Sequence, residues 1–159
     1  FLQNFGCEVH SFECNPYHYE NLVKIYGKNS NIIFNNFIVT NSDGELKKCY
    51  YKKTSKIASM SEEPSKKNNS AEYIYVKTIR LSTYIKDKNL VKIDILKIDA
   101  EGSEFKIIED LIETGMIDRI DNILYEDHAE KMKSSSWKSH RKKVLKQMAL
   151  SKTKFMEWL

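Results

Sequence analysis

The sequence predicts an α/β fold in which a mainly parallel sheet is flanked by helices and carries an antiparallel β-hairpin element. Runs rich in β-branched residues alternate with segments whose apolar residues recur at helical spacing, in the order βα, ββ, βα, βα. Three of these runs end at acids, namely Glu13, Asp99 and Glu126. Because parallel strands share one carboxyl edge, where α/β folds bind ligands, these acids should gather at a single rim of the sheet.

Length and composition indicate one globular domain over residues 1–159. The chain is 41% hydrophobic, which is ordinary for a domain with a buried core. Its 26 basic and 22 acidic side chains leave a net charge of +4, too small an excess to indicate nucleic acid as a partner. No apolar run approaches the roughly 20 residues that cross a bilayer, so we expect no membrane partner.

The three cysteines, Cys7, Cys14 and Cys49, form no CxxC pair. This pattern predicts neither a disulfide framework nor a structural zinc site, and it favours a reducing, cytoplasmic compartment. The first residue is Phe1 rather than Met, so we expect the sequence to begin inside a longer protein.

The amino-terminal part of the chain predicts the end of a helix, then a strand and a second helix. The apolar residues within 1–5, followed by Gly6, are typical of a last helical turn. Residues 7–13 predict a strand. Pro16 is typical of a first helical position, and the apolar face that follows it continues to Tyr26.

Two further strands are predicted over residues 31–40 and 45–51. The Asn-Ser-Asp-Gly sequence at 41–44 is a turn signal, so we expect these strands to pair as an antiparallel hairpin. Residues 54–72 are polar and basic around Pro64, which predicts a flexible surface loop. A lid over a binding site is the alternative for this loop.

The central unit of the chain is a strand, an acidic turn and a helix. After a predicted strand at 73–79 and a helical turn at 81–85, the β-branched run 91–98 stops at Asp99. Apolar residues at helical spacing begin again at Phe105.

The acidic turn carries signals for the start of that helix. Ser103 or Asp99 is a suitable cap, and Gly115 is suited to end the helix in a left-handed conformation. Glu101 and Glu104 place negative charge near the positive end of the helix. For both glutamates, this stabilising role is the alternative to a functional one.

The last part of the chain predicts one more strand and a helix. The strand over 120–126 ends at Glu126 and is followed by His128, which we expect to be an ordinary surface or hydrogen-bonded histidine. Residues 137–159 predict a basic C-terminal helix. Its cationic face should be solvated rather than bound to nucleic acid.

Four segments of the chain together form a recognisable pattern. They are FECNP at 12–16, NFIVTNSDG at 36–44, KIDAEGSE at 97–104, and Glu126 at the end of the following strand. Over about residues 1–130 this pattern resembles the FkbM family of S-adenosylmethionine-dependent methyltransferases, which generally O-methylate sugars or other small hydroxyl compounds. The KIDAEGSE run is its most specific part.

The resemblance implies a Rossmann-like class I methyltransferase fold that binds S-adenosylmethionine. The cofactor-binding residues that it implies are Glu13, Asn15, Asn36, Phe37 and Asp99. Glu13 would hold the ribose hydroxyls, and Asn36 with Phe37 would lie beside the adenine. A turn-shaping role is the alternative for Asn15, and a core role is the alternative for Phe37.

The catalytic residues that the resemblance implies are Asp99, Glu101 and Glu126. Asp99 would lie next to the methyl donor and the acceptor hydroxyl, as a base or as an orienting group, and the two glutamates would line the acceptor side. We expect no bound metal. A divalent ion held by Asp99, Glu126 and His128 is the alternative that these oxygen and imidazole ligands leave open.

Two features depart from the family pattern. The glycine-rich loop that precedes the ribose-binding acid by about 20 residues would lie before Phe1, and no two of the five glycines form a GxG. We therefore expect residues 1–159 to lack the first strand and that loop. In addition, Ser82 stands where the family usually has Asp in the turn before the central strand.

The function expected from the sequence is that of an S-adenosylmethionine-dependent O-methyltransferase. Its partner would be a hydroxyl-bearing acceptor such as a sugar, a glycan or another small metabolite. The alternative is a non-catalytic Rossmann-like module that binds an acidic glycan or nucleic acid through the 54–72 loop and the basic tail.

Overall fold

The computed structural model describes residues 6–51, 58–59, 72–128 and 134–158. The strands in these ranges are β1 Val9–Phe12, β2 Ile32–Asn35, β3 Ile38–Thr40, β4 Leu46–Tyr51, β5 Ala58–Ser59, β6 Glu72–Arg80, β7 Ile93–Ile98, β8 Ile120–Tyr125 and β9 Lys154–Glu157. The helices are α1 Pro16–Tyr26, α2 Leu81–Asp87, α3 Glu104–Glu113, α4 Ser135–Met148 and a 3₁₀ helix at Met116–Arg119. The predicted helix end at 1–5 and most of the predicted 54–72 loop lie outside the described residues.

The chain divides into two compact units. The first comprises Phe1–Ile38 and Gly44–Thr78, and the second comprises Val39–Asp43 and Ile79–Leu159. Both contain parallel strand pairs and helices, so the predicted α/β class is confirmed. None of the helices in the described part of the chain has the length and apolar character that a bilayer crossing requires.

In the first unit, β1 and β2 form a parallel pair that runs from Val9 opposite Ile32 to Phe12 opposite Asn35. Helix α1 connects them and begins at Pro16, as predicted. The Oδ1 atom of Asn15 accepts the Tyr17 N–H at 3.0 Å, which satisfies one of the unpaired donors at the helix start.

The predicted hairpin between residues 31–40 and 45–51 is wrong. The first segment breaks into β2 and β3, and the strand order β3-β6-β4-β5 separates β3 from β4. Strand β4 instead pairs antiparallel with β5 and β6. After the turn, the Gly44 N–H donates to the carbonyl of Thr78 at 2.9 Å, and Thr78 donates to the carbonyl of Glu45 at 2.8 Å. These long-range bonds to β6 take the backbone groups that a hairpin would have used.

The second unit is built on the parallel sheet β7-β8-β9. Helix α3 begins at Glu104, and Gly115 follows it with φ of +71°, which confirms the predicted left-handed ending. Phe105, Ile108 and Leu111 of this helix are buried, as is Ile123 of β8. The apolar face of α3 and the central strand β8 therefore both contribute to the buried core of the second unit.

The predicted helix over 137–159 is wrong beyond Met148. Helix α4 ends there, and Lys154–Glu157 forms β9, which pairs parallel with β8 so that Phe155 lies opposite Ile123. The Trp158 N–H continues this ladder by donating to the Tyr125 carbonyl at 2.7 Å. The end of the chain is strand because β8 offers unpaired backbone groups that only tertiary structure brings next to it.

Candidate active site

The turn after β7 is organised around the buried carboxylate of Glu104. Its Oε1 accepts the N–H groups of Ala100 and Gly102, each at 3.0 Å. To direct these two donors inward, the chain adopts positive φ values at Glu101, +50°, and Gly102, +109°. A positive φ is costly for a residue with a side chain, and such strain is often found at functional turns.

His128 is the second buried group at this turn. Its side chain is 3% exposed, and Nδ1 lies 2.8 Å from Oε1 of the fully buried Glu104. Because Glu104 already accepts two backbone N–H groups, its carboxylate is an acceptor, so Nδ1 of His128 is the donor. The Nε2 atom lies 3.3 Å from Oε1 of Glu126 and 3.7 Å from Oε2 of Glu101.

The sheet brings the ends of β7 and β8 together. Ile98 lies opposite Tyr125, and the Glu126 N–H donates to the Ile98 carbonyl at 3.0 Å. One ligand atom of Asp99 lies within 4.8 Å of one from Glu101 and one from His128. Of the acids that the sequence predicted at one rim, Asp99, Glu101 and Glu126 are thus grouped around one imidazole. Glu13 belongs to the other unit, so its place at the same rim stays a prediction.

For two residues at this site, the sequence left the role open: Glu104 was assigned either a functional or a helix-stabilising role, and His128 was a metal ligand only in the alternative interpretation. The sequence signals for them are the Glu101 to Glu104 spacing and the histidine two positions after Glu126. Their burial is what separates them from surface residues, and burial depends on tertiary packing. Asp99, by contrast, is exposed, with Oδ2 at 3.9 Å from Nζ of Lys97.

In the first unit, Glu13 stands at the carboxyl end of β1, as predicted. Its side chain is 27% exposed; Oε1 accepts the Asn15 N–H at 2.8 Å, and Oε2 lies 3.9 Å from Nδ1 of His18. The carboxylate keeps further acceptor capacity and access to solvent. It is therefore chemically suited to accept hydrogen bonds from a pair of ribose hydroxyls.

The neighbouring asparagines hold the turn that presents Glu13. Asn15 is buried, and Asn36 donates through Nδ2 to the carbonyls of Glu13 at 2.7 Å and Cys14 at 3.2 Å. Phe37 is half-buried. These contacts give both asparagines a structural role, and the cofactor contacts that were predicted for Asn15, Asn36 and Phe37 stay predictions.

A pair of thiols lies directly after Glu13. Sγ of Cys14 is 3.3 Å from Sγ of Cys49, and Cys49 is fully buried. The hydrogen bond between them, together with burial, raises the pKa of Cys14 well above its usual range. The same bond lowers the pKa of Cys49, although burial opposes it.

Ser82, where the sequence departs from the family pattern, belongs to a buried network in the second unit. Its N–H and Oγ donate to Asp110 at 3.2 and 3.0 Å. Arg80 donates to the same carboxylate through Nε at 2.7 Å and through a second nitrogen. This hydrogen bonding raises the pKa of Arg80. Asp110 of α3 thereby accepts a backbone N–H from the first turn of α2, so Ser82 has a structural role in this protein.

The comparisons with known proteins add one positive finding. A family model described as the methyltransferase FkbM domain matches residues 2–148, which is most of the chain. Neither the curated proteins nor the solved structures gave a significant match.

Proposed function

The chain belongs to the FkbM methyltransferase family, and we propose that it transfers a methyl group from S-adenosylmethionine to a hydroxyl of a sugar, glycan or other small metabolite. The proposal includes a Rossmann-like arrangement of the sheet. The observation that carries it is the convergence of Asp99, Glu101 and Glu126 around His128 at the carboxyl ends of β7 and β8. This edge of a parallel sheet is where α/β enzymes bind their ligands.

The residues of the first unit fit the ribose of this cofactor. Glu13 is an accessible carboxylate at the end of a parallel strand, and Asn15 and Asn36 fix the backbone around it. We assign Glu13 to the ribose hydroxyls. When bound, S-adenosylmethionine supplies an electrophilic methyl group on a positively charged sulfur.

The second unit fits a polyhydroxyl acceptor. Carboxylates accept hydrogen bonds from hydroxyl groups, so Asp99, Glu101 and Glu126 can orient one hydroxyl and its neighbours. One of these carboxylates must also take the proton that the hydroxyl loses as its oxygen is methylated. Orientation is the larger task, because methyl transfer requires the oxygen to lie in line with the methyl group.

The geometry supports an enzyme more than a polymer-binding module. Two cations of the basic helix α4 pair with acids of the same unit: Arg141 with Asp127, and Lys143 with Glu109 at 2.7 Å. These cations are therefore engaged within the protein, which reduces the positive surface available to a polyanion. A reducing, cytoplasmic compartment goes with the proposal, and the free thiols of Cys7, Cys14 and Cys49 are consistent with it.

The test is cofactor binding by the full natural protein, followed by methyl transfer to a panel of methyl glycosides with isotope-labelled S-adenosylmethionine. We expect binding in calorimetry, with affinity reduced at least about tenfold in Glu13→Ala, the loss of roughly one charge-assisted hydrogen bond. Glu8→Ala, an acid at the other end of β1, is the matched control and should keep the affinity. No cofactor binding, together with salt-sensitive binding of heparin, would establish the binding module instead.

A further inference from the structure

We propose that Asp99, Glu101 and His128 form a binding site for a divalent metal ion. Each offers one ligand atom, and the three atoms lie within 4.8 Å of one another. Ligand atoms about 2.0–2.6 Å from a common ion are at most about 5 Å apart, so this spacing is compatible with one shared ion.

The imidazole is held in the way that metal-binding histidines are held. Nδ1 of His128 donates to the buried carboxylate of Glu104, which leaves Nε2 as the ligand atom. Nε2 lies on the side of Glu101, at 3.7 Å. The side chain is 3% exposed, and Nε2 also lies 3.3 Å from Oε1 of Glu126, so it faces two carboxylates.

The charges around this imidazole also favour a cation. Asp99, Glu101, Glu104 and Glu126 all approach the site, and Lys97 lies 3.9 Å from Asp99. Like charges at these distances raise the free energy of the site, and a divalent ion would offset most of this repulsion.

The ligand set indicates which ions would bind. Two carboxylates prefer hard ions such as Mg²⁺ and Mn²⁺, and an imidazole favours transition metals. Mn²⁺ satisfies both preferences. Three protein ligands leave positions open for other molecules, as in catalytic metal sites.

The consequence for the reaction rests on the proposed function. An acceptor with two neighbouring oxygens, such as a vicinal diol, would occupy the open positions, and the ion would make the bound hydroxyl a stronger acid. Glu126 is then the carboxylate outside the ligand set. Its side chain is 41% exposed, and we assign it the proton that leaves the hydroxyl oxygen as the methyl group arrives.

The test uses Mn²⁺ itself as the probe on the full natural protein, by calorimetry and by electron paramagnetic resonance. We expect one bound Mn²⁺ per chain and an affinity at least about tenfold lower in Glu101→Gln and in Asp99→Asn, both of which change partly exposed side chains. Glu126→Gln removes the same charge beside His128 but no ligand, so its Mn²⁺ affinity should change less than about threefold.

Two results would overturn the metal site: no Mn²⁺ binding to folded wild-type protein, or equal affinity in wild type and Glu101→Gln. If Glu126→Gln lowered the Mn²⁺ affinity as much as Glu101→Gln, the ligand assignment would be overturned, because the affinity would then depend only on the local charge. Methyl transfer in the presence of a chelator, with no Mn²⁺ binding, would leave the proposed function standing. Mn²⁺ binding that depends on Glu101, without methyl transfer, would leave only the metal site.

Discussion

The Nδ1 atom of His128 lies 2.8 Å from Oε1 of Glu104, and the two side chains are 3% and 0% exposed. The same glutamate oxygen binds the backbone of the turn that carries Glu101. One buried carboxylate thus fixes both the direction of an imidazole and the shape of an acidic turn.

Replacement of Glu104 should therefore destabilise the second unit. Glu104→Gln replaces one carboxylate oxygen with an amide donor, although the Ala100 and Gly102 N–H groups and Nδ1 of His128 all need an acceptor there. Some of these buried donors would then lack a partner. We expect a loss of about 3 kcal/mol in the free energy of unfolding, measured by urea denaturation. Glu101→Gln in the same turn changes a side chain that is partly exposed and should cost under about 1 kcal/mol. Equal losses in the two variants would contradict the central place of Glu104.

Introducing the residue that the family usually carries at position 82 should also destabilise this chain. Ser82→Asp would place a second carboxylate against buried Asp110, and we expect the free energy of unfolding to fall by about 3 kcal/mol. Ser82→Ala removes the hydroxyl donor without adding charge, so it should cost only about 1 kcal/mol. Thermal unfolding of the two variants under the same conditions measures the difference. A Ser82→Asp protein as stable as wild type would show that Asp110 does not depend on this donor.

The thiols of Cys14 and Cys49 should join under mild oxidation. We expect oxidised glutathione to convert them to a disulfide by exchange, with glutathione as the reduced product, because their sulfurs are only 3.3 Å apart. The hydrogen bond that lowers the pKa of Cys49 favours its thiolate as the attacking group once the pair opens to the reagent. Peptide mapping should identify the link in wild type and Cys7→Ser but not in Cys49→Ser. A link through Cys7 would contradict this prediction.

The contacts of Glu109 predict a pH-dependent contribution to stability. Burial acts to raise its pKa, but hydrogen bonds with Lys143 and His140 outweigh burial and lower the pKa below the usual 4.5. A carboxyl with a lowered folded-state pKa stabilises the protein above its unfolded pKa and loses that effect as the pH falls through the folded value. Glu109→Gln should therefore cost about 1 kcal/mol at pH 7, and the difference from wild type should shrink as the pH falls below 4.5 and through the folded-state pKa.

Glu113→Gln is the control for that experiment. Its carboxylate lies 4.0 Å from Nζ of Lys143, but both side chains are 57% exposed, so we expect almost no effect at either pH. Chemical denaturation at a series of pH values provides the measurement. A constant difference between wild type and Glu109→Gln across the series would rule out the ionised carboxylate as the stabilising form.

Local patterns in the sequence were sufficient for the boundaries of helices and for the points where the central strands end. Pro16 at the start of α1, Gly115 after α3 and the acids at the ends of β7 and β8 all appear where the spacing of apolar and turn residues predicts them. Each depends on residues within a few positions of itself, and such short-range effects are visible in one sequence.

The strand pairings depended on tertiary structure. The turn at Gly44 has the residues of a hairpin turn, yet its backbone forms hydrogen bonds with Thr78. The end of the predicted C-terminal helix is instead strand β9, which pairs with β8. A strand obtains its hydrogen bonds from a partner that can lie anywhere in the chain, so its own residues do not identify that partner.

The sequence by itself determined the α/β class, the family resemblance and the acids Asp99, Glu101 and Glu126 as candidate site residues. Only the tertiary structure assigned Glu104 and His128 to the same site. Whether a carboxylate or an imidazole is a solvated surface group or a buried, oriented one depends on what packs around it, and those neighbours lie 24 positions apart in this pair.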